Sequence, residues 1–363
     1  MKIVAQKKEN IPVKRRILVV VICVLLALVF CGLFILAHGE NPFAVYAKMF
    51  KSGFGSPKAI LNDIETAIPW MFCSLAVVVS YKMGINNIGA EGQYCMGAIA
   101  ATGAALYCPF IPDALLIPAM FIAAFLGGAL WGVIAIIPKA LWGVNDTIVT
   151  LMMNYVALLF LEWLCYGPWK DPDTNIAVSL TIPESAQLKN FFGTGLNMSI
   201  IICLIIAVLI FIFFKYTTAG FQIKVISNNI RAARYSGMTV VSKIILVMLV
   251  SAGIAGLGGF AQLSGEAYQL QVDYANGAGF TGIVIAYVSS LNPFVILLVS
   301  FFFGGLTIGG YAIQTMGVSS QIVTMLQGAI LLFVVGGEIF MRYKFTIVRN
   351  TKPKKKKEIG EGM

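Results

Sequence analysis

The chain has 363 residues, of which 59% are apolar and 12% charged, and its mean hydropathy is +0.87. That exceeds the roughly half-apolar composition of soluble domains and makes this a polytopic membrane protein. The net charge of +10 suggests nucleic acid at first, but its distribution decides otherwise. Twenty-one of the 26 basic residues fall in segments that one membrane orientation places on a single side, so topology and anchoring at the membrane surface explain them.

Residues 1–16 carry Lys2, Lys7, Lys8, Lys14, Arg15 and Arg16 against Glu9 and are expected in the cytoplasm. Span 1, Ile17 to Ala37, is too long for the apolar stretch of a signal peptide and is read as a helix. His38 to Glu65 is expected to lie partly along the outer interface as an amphipathic piece. Span 2, Ala67 to Lys82, is followed by MGINNIGAEGQYCMGAIAATGAAL, a polar, glycine-bearing segment running into span 3, Gln93 to Tyr107. Irregular backbone at membrane depth survives only inside protein or along a cavity.

Span 4 is Ala114 to Ile137, with an inner loop over Pro138 to Asp146. Span 5 is Thr147 to Tyr166, the outer loop Gly167 to Asn197, and span 6 Met198 to Phe214. The basic central loop, Lys215 to Lys243, precedes span 7 (Ile244 to Gln262), a short span 8 (Gly279 to Leu291), span 9 (Pro293 to Ala312) and span 10 (Gln321 to Met341). The expected fold is all-α with about ten transmembrane helices and both termini cytoplasmic. Residues 17–341 form the membrane domain, 215–243 lie within it as the loop, and 342–363 form a basic tail. Ile148-Val149-Thr150 and Leu158-Leu159-Phe160 of span 5 echo Ile322-Val323-Thr324 and Leu331-Leu332-Phe333 of span 10. Because spans 5 and 10 run in opposite directions, spans 2–5 and 7–10 are expected to be inverted repeats with the substrate path near their interface.

Neither GxxxxGK[ST], HExxH nor GxSxG occurs, and the seven cysteines stand singly in apolar stretches beside one histidine. No cofactor, metal site or catalytic set is expected, and the cysteines read as small buried hydrophobes. The central loop reads as two short helices, Ala219 to Ile226 and, after a turn at Ser227-Asn228, one capped by Asn229 and stopped by Gly237. On the second, Arg231 and Arg234 share one face and Ile230 and Ala233 another. Candidate path residues are Asn87 and Gln93 at the opening of span 3, Asn154 and Tyr155 in span 5, and Phe280, which offer amides and aromatic faces to a polar solute. For Asn154, a purely interhelical hydrogen bond weighs equally. Gln327 is assigned that structural role. Glu91 is expected to cap span 3 or meet the loop, and Glu338 to snorkel or pair with Arg342. Gly128-x-x-x-Gly132 and Gly305-x-x-x-Gly309 permit close helix approach.

VISNNIRAARYSGM resembles the cytoplasmic-loop signature of permease subunits of ABC importers, in the family handling simple sugars, nucleosides and branched-chain amino acids. NNIGAEGQYCMGA (Asn86 to Ala98) resembles the segment marking its nucleoside type, and GVNDTIVTLMMNYVA and GAGFTGIVIAYVSSLNP are further matches. Ser227 and Asp146 depart from the glycine and glutamate usual there. The resemblance implies a bacterial plasma-membrane permease that works with a cytoplasmic ATPase subunit, a second permease subunit in a heterodimer and an extracytoplasmic solute-binding protein. It also implies that Asn229, Arg231, Ala232, Ala233, Arg234 and Gly237 dock on the ATPase. The alternative is an ion-coupled secondary transporter in which Glu91, Glu162 or Glu338 carries the proton.

Overall fold

A chain this apolar must satisfy its backbone polar groups internally, and it does so by helix. The computed structural model describes residues 2–7, 13–189 and 196–348. Its helices are α1 (Val13–Ala37), α2 (Pro42–Phe54), α3 (Pro57–Tyr81), α4 (Ala90–Tyr107), α5 (Asp113–Trp142), α6 (Asp146–Tyr166), α7 (Ser199–Tyr216), α8 (Thr218–Asn228), α9 (Ile230–Tyr235), α10 (Val240–Gln262), α11 (Ala278–Val288), α12 (Pro293–Ile313) and α13 (Gln321–Arg342). The expectation of helix alone needs one addition. Lys2–Lys7 (β1) and Tyr343–Val348 (β2) pair antiparallel, Lys2 opposite Val348, so the two ends of the described chain meet.

Among the described residues seven helices are long and apolar enough to cross a membrane, and Ala278–Val288 and Gln321–Gly337 are shorter apolar helices. Several expected boundaries move. Span 2 begins ten residues earlier: Ser56 caps α3 by accepting from Ala59 N–H at 3.1 Å, and Pro57 occupies the first turn, where its missing N–H costs nothing. Asp63 and Glu65, read as interfacial, therefore lie in α3. The amphipathic segment is largely α2, which buries Val45, Met49 and Gly53 and packs on α12. The inner loop over 138–146 shrinks to Gly143–Asn145, because Pro138 removes a single bond and α5 continues past it to a left-handed Gly143. The short span 8 is α11, 11 residues, which at about 1.5 Å each cover roughly half a bilayer.

Packing centres on α10, which lies against α3, α4 and α5. Small residues make this possible. A Cβ at Gly97 would overlap the backbone of Gly256, and one at Gly128 would stand 2.5 Å from the Ala252 carbonyl. Gly305 and Gly309 likewise lie against Phe54 and Met49 of α2, so both small-residue pairs serve packing inside this chain. Cys23, Ala27, Cys31 and Ile35, four apart, make the buried ridge of α1, the helix that packs on α13. Six cysteines are buried, Cys108 half-buried, and all seven are free. The expected pairing of Glu338 with Arg342, and the basic tail beyond residue 348, lie outside the residues whose side chains are described.

The helix contacts follow an exchange rule. Where α10 packs on α4 and α5, α3 packs on α11 and α12; where α4 leans on α6, α11 leans on α13.

Replacing Gly97 by Val should force α4 from α10 and cost about 1–3 kcal/mol by overpacking. Gly328, with nothing within 4 Å of a Cβ, should accept Ala within about 0.5 kcal/mol. Thermal unfolding of the purified variants in detergent measures both.

Candidate functional site

Between α3 and α4 the chain runs without helix from Lys82 to Gly89; the N–H groups of Lys82, Met83, Gly84 and Ile85 return to carbonyls at the end of α3, and side chains of α6 hold Asn86 and Ile88. Asn86 N–H donates to Asp146 Oδ2 at 2.7 Å, and that carboxylate also takes Lys139 Nζ at 2.5 Å. Ile88 N–H donates to Thr150 Oγ1 at 3.3 Å, while the Ile88 carbonyl accepts from Asn154 Nδ2 at 2.8 Å. Asn154 Oδ1 accepts from Gly92 N–H at 2.9 Å. One turn of α6 after another thus clamps the irregular segment.

Asn87 and Gln93 bond to each other through both amides, at 3.0 and 3.1 Å. Asn87 Oδ1 also accepts from Gly89 N–H at 2.9 Å, and Asn87 Nδ2 donates to Ser251 Oγ of α10 at 3.4 Å. Buried amides need these partners, since each unsatisfied group costs about 1–3 kcal/mol. Of the five path candidates, Asn87, Gln93 and Asn154 are therefore buried with their polar atoms engaged, whereas Tyr155 is 56% and Phe280 44% exposed. The structure does not gather the five into one pocket. Gln327, read as structural, accepts from Thr281 Oγ1 of α11 at 3.5 Å.

Glu91 has a different partner from those expected. It lies in the first turn of α4 and is buried. Its Oε1 accepts from Gly277 N–H at 2.8 Å and its Oε2 from Gly279 N–H at 2.7 Å. It thus caps α11 across the interface, and one carboxylate faces the positive ends of two helices. Gly277 adopts φ +76°, a left-handed turn that aims these amides at the carboxylate. The signal available in the sequence was that two glycine-rich, polar breaks each precede a helix; their meeting was not readable.

The central loop keeps the expected devices with moved boundaries. Thr217 Oγ1 accepts from Gly220 N–H at 3.0 Å and starts α8 at Thr218. The helix continues through Ser227 and Asn228, so the expected turn is reduced to Asn229 alone. Asn229 Oδ1 accepts from Arg231 N–H at 3.0 Å and Ala232 N–H at 3.1 Å. At the far end Gly237, φ +74°, donates to the Arg234 carbonyl and Met238 N–H to that of Ala233, at 3.0 and 3.1 Å, a Schellman closure.

Asn229, Arg231, Ala232, Arg234 and Gly237 are exposed and Ala233 is buried. Ile230, assigned to the packed face with Ala233, is instead 44% exposed, because nothing described stands over the first residue of α9. Tyr235, which sequence reasoning passed over, is 92% exposed beside the two arginines. Loop and clamp adjoin: a Cβ at Gly84 would lie 3.7 Å from Ser227 Oγ.

Glu91→Ala strands two buried amides and should cost about 2–4 kcal/mol; Glu91→Gln, which keeps an acceptor, should cost less. Thermal unfolding in detergent ranks the two.

Residues 59–335 match the family described as branched-chain amino acid transport system / permease component. The glucose ABC transporter permease of Haloferax volcanii is 30% identical over 90% of this chain and 89% of the relative. The nucleoside ABC transporter permease of Lactococcus lactis subsp. cremoris is 30% identical over 88% and 91%. The guanosine ABC transporter permease of Bacillus subtilis is 32% identical over 88% and 92%. With its family match spanning most of the chain and its helices long and apolar enough for the bilayer, this protein belongs to the branched-chain amino acid type family of ABC transporter permeases, and is a multi-pass membrane protein.

Proposed function

We propose that the chain is the membrane subunit of an importer that moves a nucleoside or related sugar compound into the cell, driven by a separate cytoplasmic ATPase. The observation that carries this is the central loop. Both ends of its second helix are closed by defined caps, and the packed Ala233 holds Arg231, Arg234 and Tyr235 outward on a base too short to flex. Topology alone asks only for basic charge there; a capped, anchored helix serves a partner. The nucleoside and sugar permeases among the relatives support the substrate class.

In this reading ten spans cross the membrane, α4, α11 and α13 joining the seven longer helices, with both termini in the cytoplasm. The pairing of β1 with β2 supports a shared side for the termini. Inverted repeats of α3–α6 and α10–α13 are supported by the exchange rule of the helix contacts, and by the helix-free stretch that precedes both α4 and α11. The substrate would pass where the repeats meet a second permease subunit, in a heterodimer. Tyr155 and Phe280 would offer aromatic faces, and Asn87, Gln93 and Asn154 would set the wall behind them. A solute-binding protein would deliver the substrate from outside. ATP binding and hydrolysis would bias outward-open and inward-open states, with α8 and α9 as the lever.

The double variant Arg231→Glu with Arg234→Glu should insert normally into membranes yet lose both co-purification of the ATPase and uptake. Normal co-purification would refute the docking assignment. Uptake that survives deletion of the ATPase subunit and collapses with an uncoupler would instead establish ion coupling.

A further inference from the structure

One groove on the outer surface of the helix bundle has no part in the transport reading. It runs between α5, α7 and α10, backed by α3, with a volume of about 470 Å³ and walls that include Val79, Phe125, Leu209, Phe213, Val250 and Ile254. The polar side chain in its lining is Thr217, and that hydroxyl is engaged with the Phe213 carbonyl at 2.6 Å and Gly220 N–H at 3.0 Å. Along α7 the lining extends from Ile206 to Thr217, about 16 Å at the helical rise. One leaflet of a bilayer is about 15 Å deep. A slot with no free polar group suits an acyl chain and not a polar solute.

The Thr217 end of the slot is cationic. Lys82 follows Val79 by three residues on the same face of α3, and its Nζ stands 4.5 Å from the centroid of the Phe214 ring. Lys224 neighbours Lys82. Among the described residues the ion pair is Lys139 with Asp146, so neither Lys82 nor Lys224 has a carboxylate partner there. Two ammonium groups beside the Thr217 end of an apolar slot complement a phosphate diester carrying a hydrocarbon tail.

We propose that this groove binds an anionic phospholipid, the acyl chain filling the slot and the phosphate held at Lys82 and Lys224. Lipid retention depends neither on transport nor on the ATPase, so failure of this proposal and failure of the permease reading give separate results.

The test uses the full chain, purified in a neutral detergent with the subunits that accompany it. It is titrated with phosphatidylglycerol and, separately, with phosphatidylcholine, and bound lipid is counted by native mass spectrometry alongside thermal unfolding. Phosphatidylglycerol should bind more tightly and raise the unfolding temperature. Lys82→Ala with Lys224→Ala should erase that preference, a loss of roughly twenty-five-fold, about five-fold for each lysine. Lys82→Arg should retain it, and Val250→Trp, which fills the slot, should lose both lipids. The proposal is overturned if the unmodified protein binds the two lipids equally. It is also overturned if glycerol phosphate alone reproduces the protection, or if a cysteine introduced at Leu209 crosslinks to another subunit that covers the groove.

Discussion

The Glu91 carboxylate, buried between the first turns of α4 and α11, is the contact on which the interior depends. A charge at bilayer depth costs about 2.5–3.5 kcal/mol even on insertion scales, and a half-length helix exposes amides with no carbonyl to meet them. Each problem answers the other. Gly277 and Gly279 give the carboxylate two charge-assisted hydrogen bonds, and the carboxylate satisfies the open end of α11. Without this bond the buried first turn of α11 would leave the Gly277 and Gly279 amides unpaired.

Around that contact the protein uses two kinds of joint. Glycines let α4, α5 and α10 approach until backbones touch, where apolar side chains alone would gain little over lipid. Amides and one carboxylate then hold the backbone that helix leaves unpaired, through Asn87 with Gln93, Asn154 on both Ile88 and Gly92, and Asp146 on Asn86. Asp146 reaches the Asn86 amide and Lys139 together because α6 begins beside the irregular segment. The clamp lies next to the central loop through Gly84 and Ser227, so a displacement of α8 and α9 meets the held segment directly.

Much of the helical layout was legible. Apolar length located the spans, and Asn229 and Gly237 announced the caps of α9, because such devices act within three or four residues. Less was legible wherever one residue has two local meanings. Pro138 reads as a break, yet α5 absorbs it; Asp63 and Glu65 read as interfacial, yet both lie in α3. Ile230 reads as packed from its spacing to Ala233, but whether a face is covered depends on what stands opposite, and nothing described covers Ile230.

The sequence by itself determined that this is a polytopic helical membrane protein with a basic, capped loop, since hydropathy, charge asymmetry and capping are properties of neighbouring residues. Only the tertiary structure decided which partners the buried polar residues bond to. Asn87, Gln93 and Asn154 appear alike as path or packing residues along the chain, and their partners lie up to 164 positions away. Glu91 finds its amides 186 and 188 positions on. Those pairings exist because two helix-free breaks meet inside the bundle, a fact carried by the packing of α3 and α10 and by no local pattern.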